Sequence, residues 1–230
     1  MNQSVQNIHA LPAVGAAAER NRVLRNTYWL LALSMLPSVL GAWVGIQTGI
    51  TRGMGPGIGA LVFLGGAFGF MFAIEKFKNS AAGVPILLAF TFFMGLMLAR
   101  LLGVVMELKN GGSLVMMAFG GTGAIFFGMA TLSSVIKRDL SNMGKFLFIG
   151  VILLMVAGIA NLFIQSSALM ITLSVLAIGI FSAFMLFDIK RVIDGGETNY
   201  LSATLAIYLD LYNVFQSLLA LLGIFGGERD

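Results

Sequence analysis

The sequence predicts an all-α polytopic membrane protein of seven transmembrane helices, and three observations carry that prediction. Of its 230 residues 58% are hydrophobic, against 14 basic and 10 acidic ones, where a soluble chain runs at about one quarter charged. The apolar residues gather into seven runs of the roughly 17 to 25 residues that a spanning helix needs. Lysine and arginine crowd the breaks on alternate sides, as they do in chains whose basic loops stay in the cytoplasm.

Taken in order, residues 1–26 are mostly polar or small and set Arg20, Arg22 and Arg25 ahead of the first run. They read as a cytoplasmic N-terminal tail, too long and polar for a cleaved signal peptide. The spans are expected at 28–48, 57–75, 86–107, 114–136, 145–165, 168–189 and 201–224, forming one transmembrane domain over 27–225 with a short C-terminal tail at 226–230. Pro37 is expected to kink the first helix, and Pro56 and Pro85 to stand where helices begin. The uncharged "QSS" break divides the fifth span from the sixth, because one apolar run of over forty residues is far too long for a bilayer. Glycines in "LGGAFGF" and "FGGTGAIFFG", and the small face Thr91, Gly95, Ala99, Gly103, are expected to let backbones approach closely.

With the N-terminus inside, ten basic residues fall on the cytoplasmic side: Arg20, Arg22, Arg25, Lys76, Lys78, Lys137, Arg138, Lys145, Lys190 and Arg191. Arg52, Lys109 and Arg229 fall on the other side, and Arg100 lies within the third span. This bias predicts a cytoplasmic N-terminus and an outside C-terminus, consistent with an odd number of spans.

Composition also excludes chemistry. Cysteine is absent and the one histidine, His9, is in the tail. No thiolate, zinc, haem or Ser/His chemistry fits, so the expectation is a protein that is not an enzyme and carries no cofactor. No basic cluster is interleaved with aromatics, and a nucleic-acid partner is not expected despite a net charge of +4. Membrane lipid is the expected surrounding.

The informative charges are those inside the spans. Asp188 lies near the cytoplasmic end of the sixth helix, and Asp210 about 15 Å into the seventh at 1.5 Å per residue. The two run in opposite directions from the same side, so the carboxyls can meet. Asp188 has a plainer reading as an interfacial partner of Lys190 or Arg191. Ala203, Ala206, Asp210, Asn213 and Ser217 form one small and polar stripe on an otherwise bulky apolar helix, which puts the seventh helix inside the bundle. Asn161 and Gln165 supply a second polar edge, read as interhelical glue. Arg100 has three readings: a counter-ion of Asp210, a partner of Glu107, or a side chain that snorkels outward. A close aspartate pair titrates as a unit, and when ionised it offers hard oxygen ligands to a divalent cation.

The segment "FMLFDIKRVIDGGETNYLSATLAIYLDLYNVFQSLLALLG" resembles the C-terminal signature of the Bax inhibitor-1 family of seven-span membrane proteins, and "VLRNTYWLL" at 23–31 resembles its bacterial YccA-like branch. In number and spacing of spans the resemblance covers about residues 20–227. It implies a seventh helix at the centre with six wrapped around it. It also implies that Asp188 and Asp210 are the pH-sensing pair of a passive calcium leak; the pair's hard oxygens are then expected to bind calcium transiently, and the polar stripe makes Asn213 and Ser217 the candidate lining. The alternative it implies is a non-transporting regulator that binds a membrane-anchored AAA protease or another membrane partner. Either would act in the bacterial inner membrane. Calcium-leak members hold the acidic pair with an arginine on the second helix, and "GPGIGALVFLGGAFGFMFAIEK" has none, which leaves Arg100 as the candidate substitute.

Overall fold

A computed structural model describes residues 3–227, with side chains described outside 3–17 and 56. Seven helices follow in order: α1 (Gln3–Thr48), α2 (Pro56–Phe77), α3 (Gly83–Met106), α4 (Gly111–Val135), α5 (Met143–Ile164), α6 (Ser167–Ile193) and α7 (Tyr200–Phe225). All seven are long and apolar enough to cross a membrane, and no strand occurs among the described residues. The protein is a multi-pass membrane protein.

Helix ends follow local chemistry. Pro56 opens α2, where its missing N–H costs nothing. The uncharged break between α5 and α6 is a true turn: Gln165 adopts a left-handed conformation, Asn161 accepts the Ser166 N–H, and the Ser166 hydroxyl caps α6 by accepting the Leu169 N–H. The Asn161 side chain is therefore spent on the turn that joins α5 to α6. Gly195, at φ +80°, ends α6 in a conformation that disfavours any side chain.

One feature departs from the expected outline. The first helix begins long before its span, so residues 3–26, read as a tail, continue it as helix, and its membrane-compatible stretch starts at Ala18. The helix also continues through Pro37. At the other terminus, residues 228–230 of the expected tail, including Arg229, lie outside the described residues.

Packing explains the glycines of two helices and leaves those of a third unexplained. The axes of α1 and α3 come so close that a Cβ added to Gly95 would stand 2.0 Å from the Ser38 carbonyl oxygen, and one on Gly41 the same distance from that of Phe92. The small face of α3 is thus a seam against α1. In the middle of α4, by contrast, Gly120, Gly123 and Gly128 meet nothing within 4 Å, and Gly121 touches Leu218. Three of the four glycines of "FGGTGAIFFG" therefore make no close approach within the bundle.

The seventh helix is central. It touches α1, α2, α3, α4 and α6 and buries Leu201, Ile207, Tyr208, Val214 and Leu219. The fifth helix stands a layer out: it packs on α6 and has no buried residue. Polar contacts fix the ends. Asn199 at the start of α7 donates to Asn79 Oδ1 (2.8 Å) and the Lys78 carbonyl (3.4 Å) beyond α2, while Asn110 before α4 donates to the Gly226 carbonyl after α7. Lys76, Lys78, Lys190 and Arg191 thereby share one end, called the basic end below.

Candidate functional site

The signature around "GGETNY" builds the turn that delivers α7 to α6. Asn199 caps α7, accepting the Leu201 and Ser202 N–H groups, and Glu197 Oε1 accepts the Asn199 N–H. The other carboxylate oxygen of Glu197 pairs with Arg191 at 3.4 Å. These bonds return the chain tightly enough for the two helices to pack along their length, and the two aspartates come together.

Asp188 and Asp210 lie carboxyl to carboxyl within hydrogen-bonding reach. Their surroundings differ. Asp210 is 4% exposed, and its Oδ2 is buried without a hydrogen bond from any described residue. Asp188 is half-buried and lines a crevice of about 380 Å³ at the basic end, with Glu75, Lys78, Arg191, Glu197 and Ser202 around it. Ionised carboxylates only accept hydrogen bonds, so a bond between these two requires one proton on the pair.

Ion pairs occupy the crevice walls. Glu75 pairs with Lys78 and accepts the Ser202 hydroxyl at 3.3 Å, and Arg191 is held by Glu197. Lys190 turns away to Asp194, at 2.6 Å. Neither basic neighbour of Asp188 is therefore committed to it, although Arg191 lines the same crevice. Sequence reasoning missed Glu75 and Ser202, whose only signal was position: each lies within a few residues of a break at the end where Asp188 emerges.

Beyond Asp210 the core closes. The Tyr208 hydroxyl meets the Ser38 hydroxyl at 2.8 Å, tying α7 to α1, and the Tyr208 ring stacks obliquely on Tyr212. Val214 and Leu219 are wholly buried. Asn213 and Ser217 are half-buried, and the Asn213 amide donates to the Leu209 carbonyl of its own helix.

Arg100 corrects an expectation. It approaches neither aspartate; its side chain is exposed, with Nη1 3.8 Å from where a Cβ on Gly59 would lie, near the start of α2. Glu107, the other expected partner, is taken by Arg52 at 2.8 Å. The reason is geometric: Arg100 is six residues from the end of α3, about 9 Å, so its long stem reaches an interface more readily than the bundle centre.

The pair suits a proton and, when ionised, a passing hard cation, but not a resident metal. Among the described residues, no three histidine or acidic side chains gather to hold one.

The chain is similar over most of its length to known proteins. The family model described as inhibitor of apoptosis-promoting Bax1 matches residues 20–227. An uncharacterized membrane protein of Vibrio cholerae is 38% identical over 207 residues, 90% of this chain and 91% of that one. The Escherichia coli K12 protein named modulator of FtsH protease YccA is 37% identical over 203 residues, 88% of this chain and 90% of its own. The counterpart in Escherichia coli O6:H1, named inner membrane protein YccA, matches to the same extent.

Proposed function

Because the chain belongs to the Bax inhibitor-1 family, we propose that it is a pH-responsive passive pathway for cations, calcium foremost, gated by Asp188 and Asp210. One observation carries this reading: the two carboxyls meet where a crevice from the basic end stops, one reaching the crevice and the other sealed behind it. With one proton the pair holds α6 to α7. Without it, two anions face each other in a poorly screened interior and repel. Arg191 lies at hand to draw Asp188 aside, while among the described residues no basic side chain acts on Asp210. Separation would admit water and a divalent cation to hard oxygens. Passage onward requires α7 to move, since Val214 and Leu219 fill the way. Flux is thus expected to rise with pH, and no catalysis is assigned.

The test is calcium entry into proteoliposomes across about pH 5 to 9, the span in which coupled carboxyls can titrate. Wild type should leak more as pH rises; Asp210→Asn should flatten the profile, and Asp188→Asn should do so in part. No flux above empty liposomes, or the same profile for all three proteins, defeats the reading.

A second reading rests on the 37% identity to the protein named modulator of FtsH protease YccA: a regulator that binds a membrane-anchored AAA protease in the inner membrane and transports nothing. Co-purification with such a protease from native membranes, alongside absent flux, would favour it. Both readings place the basic end in the cytoplasm, so reporter fusions at residues 5 and 228 should fall on opposite sides of the membrane.

A further inference from the structure

We infer that Arg100 is a docking point for the phosphate of an anionic phospholipid, in the leaflet opposite the basic end. The inference is independent of any ion pathway. A cation at membrane depth that faces lipid costs at least a few kcal/mol unless its charge is met, and no described carboxylate meets this one. Glu107, the acid at the end of α3, is already engaged by Arg52 at 2.8 Å. The surroundings suit a lipid. Ile58 and Leu61 on α2 and Val104 on α3 are 61%, 73% and 59% exposed, an apolar bed for acyl chains beside a charged head. Gly59, with no side chain, leaves the guanidinium uncovered on its α2 side.

The chemistry matches. A planar guanidinium presents paired N–H donors that fit two phosphate oxygens at once, and the bonds are charge-assisted. A depth of about 9 Å from the end of α3 is within reach of the headgroup region for a side chain that extends outward. A zwitterionic lipid offers the same phosphate with its charge already offset, so a guanidinium that no described carboxylate meets favours an anionic one.

The experiment titrates detergent-solubilised full-length protein with phosphatidylglycerol, with phosphatidylcholine and with inorganic phosphate, and counts retained lipid by native mass spectrometry. Wild type should keep phosphatidylglycerol in preference to phosphatidylcholine. Arg100→Gln should reduce that retention about tenfold, the size expected for one charge-assisted contact, and Arg100→Lys should restore part of it. Gly59→Leu, which keeps the arginine but crowds the guanidinium, should also reduce it, and its substituted position has room. Lys145→Gln, at the basic end, should change nothing. Equal retention by wild type, Arg100→Gln and Gly59→Leu overturns the inference. So does displacement of the lipid by inorganic phosphate at matched concentration, which would mark a site for a free anion.

Discussion

Asp188 of α6 and Asp210 of α7 meet carboxyl to carboxyl, yet only Asp188 opens onto the crevice at the basic end. The arginine expected to stand over them, Arg100, lies on the outside of the bundle beside Gly59. Arg100→Gln is accordingly expected to leave the pH profile of calcium flux unchanged, whereas Arg191→Gln should blunt its rise, since Arg191 lies in the crevice with Asp188 while Lys78 there pairs with Glu75. A profile altered by Arg100→Gln and untouched by Arg191→Gln would return the counter-ion role to α3.

The seam between α1 and α3 predicts where a single methyl group is costly. Gly95→Ala would set a Cβ 2.0 Å from a backbone oxygen that no rotamer change can move, and is expected to destabilise by about 1–3 kcal/mol. Gly120→Ala on α4 meets nothing and should be neutral or stabilise by up to about 1 kcal/mol, the helix-propensity difference. Denaturation of the two variants in the same detergent compares them directly.

Asn199 serves the turn twice, capping α7 and reaching Asn79. Asn199→Ala should cost about 0.5–2 kcal/mol for the cap alone, seen as faster hydrogen exchange at the Leu201 and Ser202 amides. Asn199→Asp keeps an acceptor for both amides and should restore their protection while losing the donor to Asn79.

Asp139, in the exposed loop between α4 and α5, accepts the Ser141 hydroxyl at 2.5 Å and the Ser141 N–H at 2.8 Å. These bonds hold its carboxyl below the usual range. A lowered folded value means that the contribution of Asp139 is complete above the unfolded value of about 3.9 and fades as pH falls through the folded one. Protection of the Ser141 amide should therefore weaken on acidification, and Asp139→Asn should remove that pH dependence.

The spans were legible because water exclusion writes itself into composition: each expected run after the first lies within a few residues of its helix, from 57–75 inside Pro56–Phe77 to 201–224 inside Tyr200–Phe225. The aspartate pair was legible because two ionisable groups in apolar runs, at similar depth on consecutive antiparallel helices, have few other places to go. Arg100 was not, since its stem reaches an interface or a bundle centre equally well, and periodicity alone does not say which. Nor were the α4 glycines: a small residue permits close approach without stating that a neighbour comes. The first helix extends past its span because Glu19 and Arg20 form helix as readily as apolar residues do, so polarity marks where a span ends and not where its helix does.

The bonds from Asn199 to Asn79 and Lys78 act as a hinge pin. They fasten the start of α7 to the α2–α3 turn, so any tilt of α7 relative to α2 is least there and grows along its length. Asp210 lies about 15 Å from that pin at 1.5 Å per residue, and Leu219 about 28 Å. A small angular push at the aspartates is magnified nearly twofold where the core is most tightly shut, as the free edge of a door travels further than the hand that opens it.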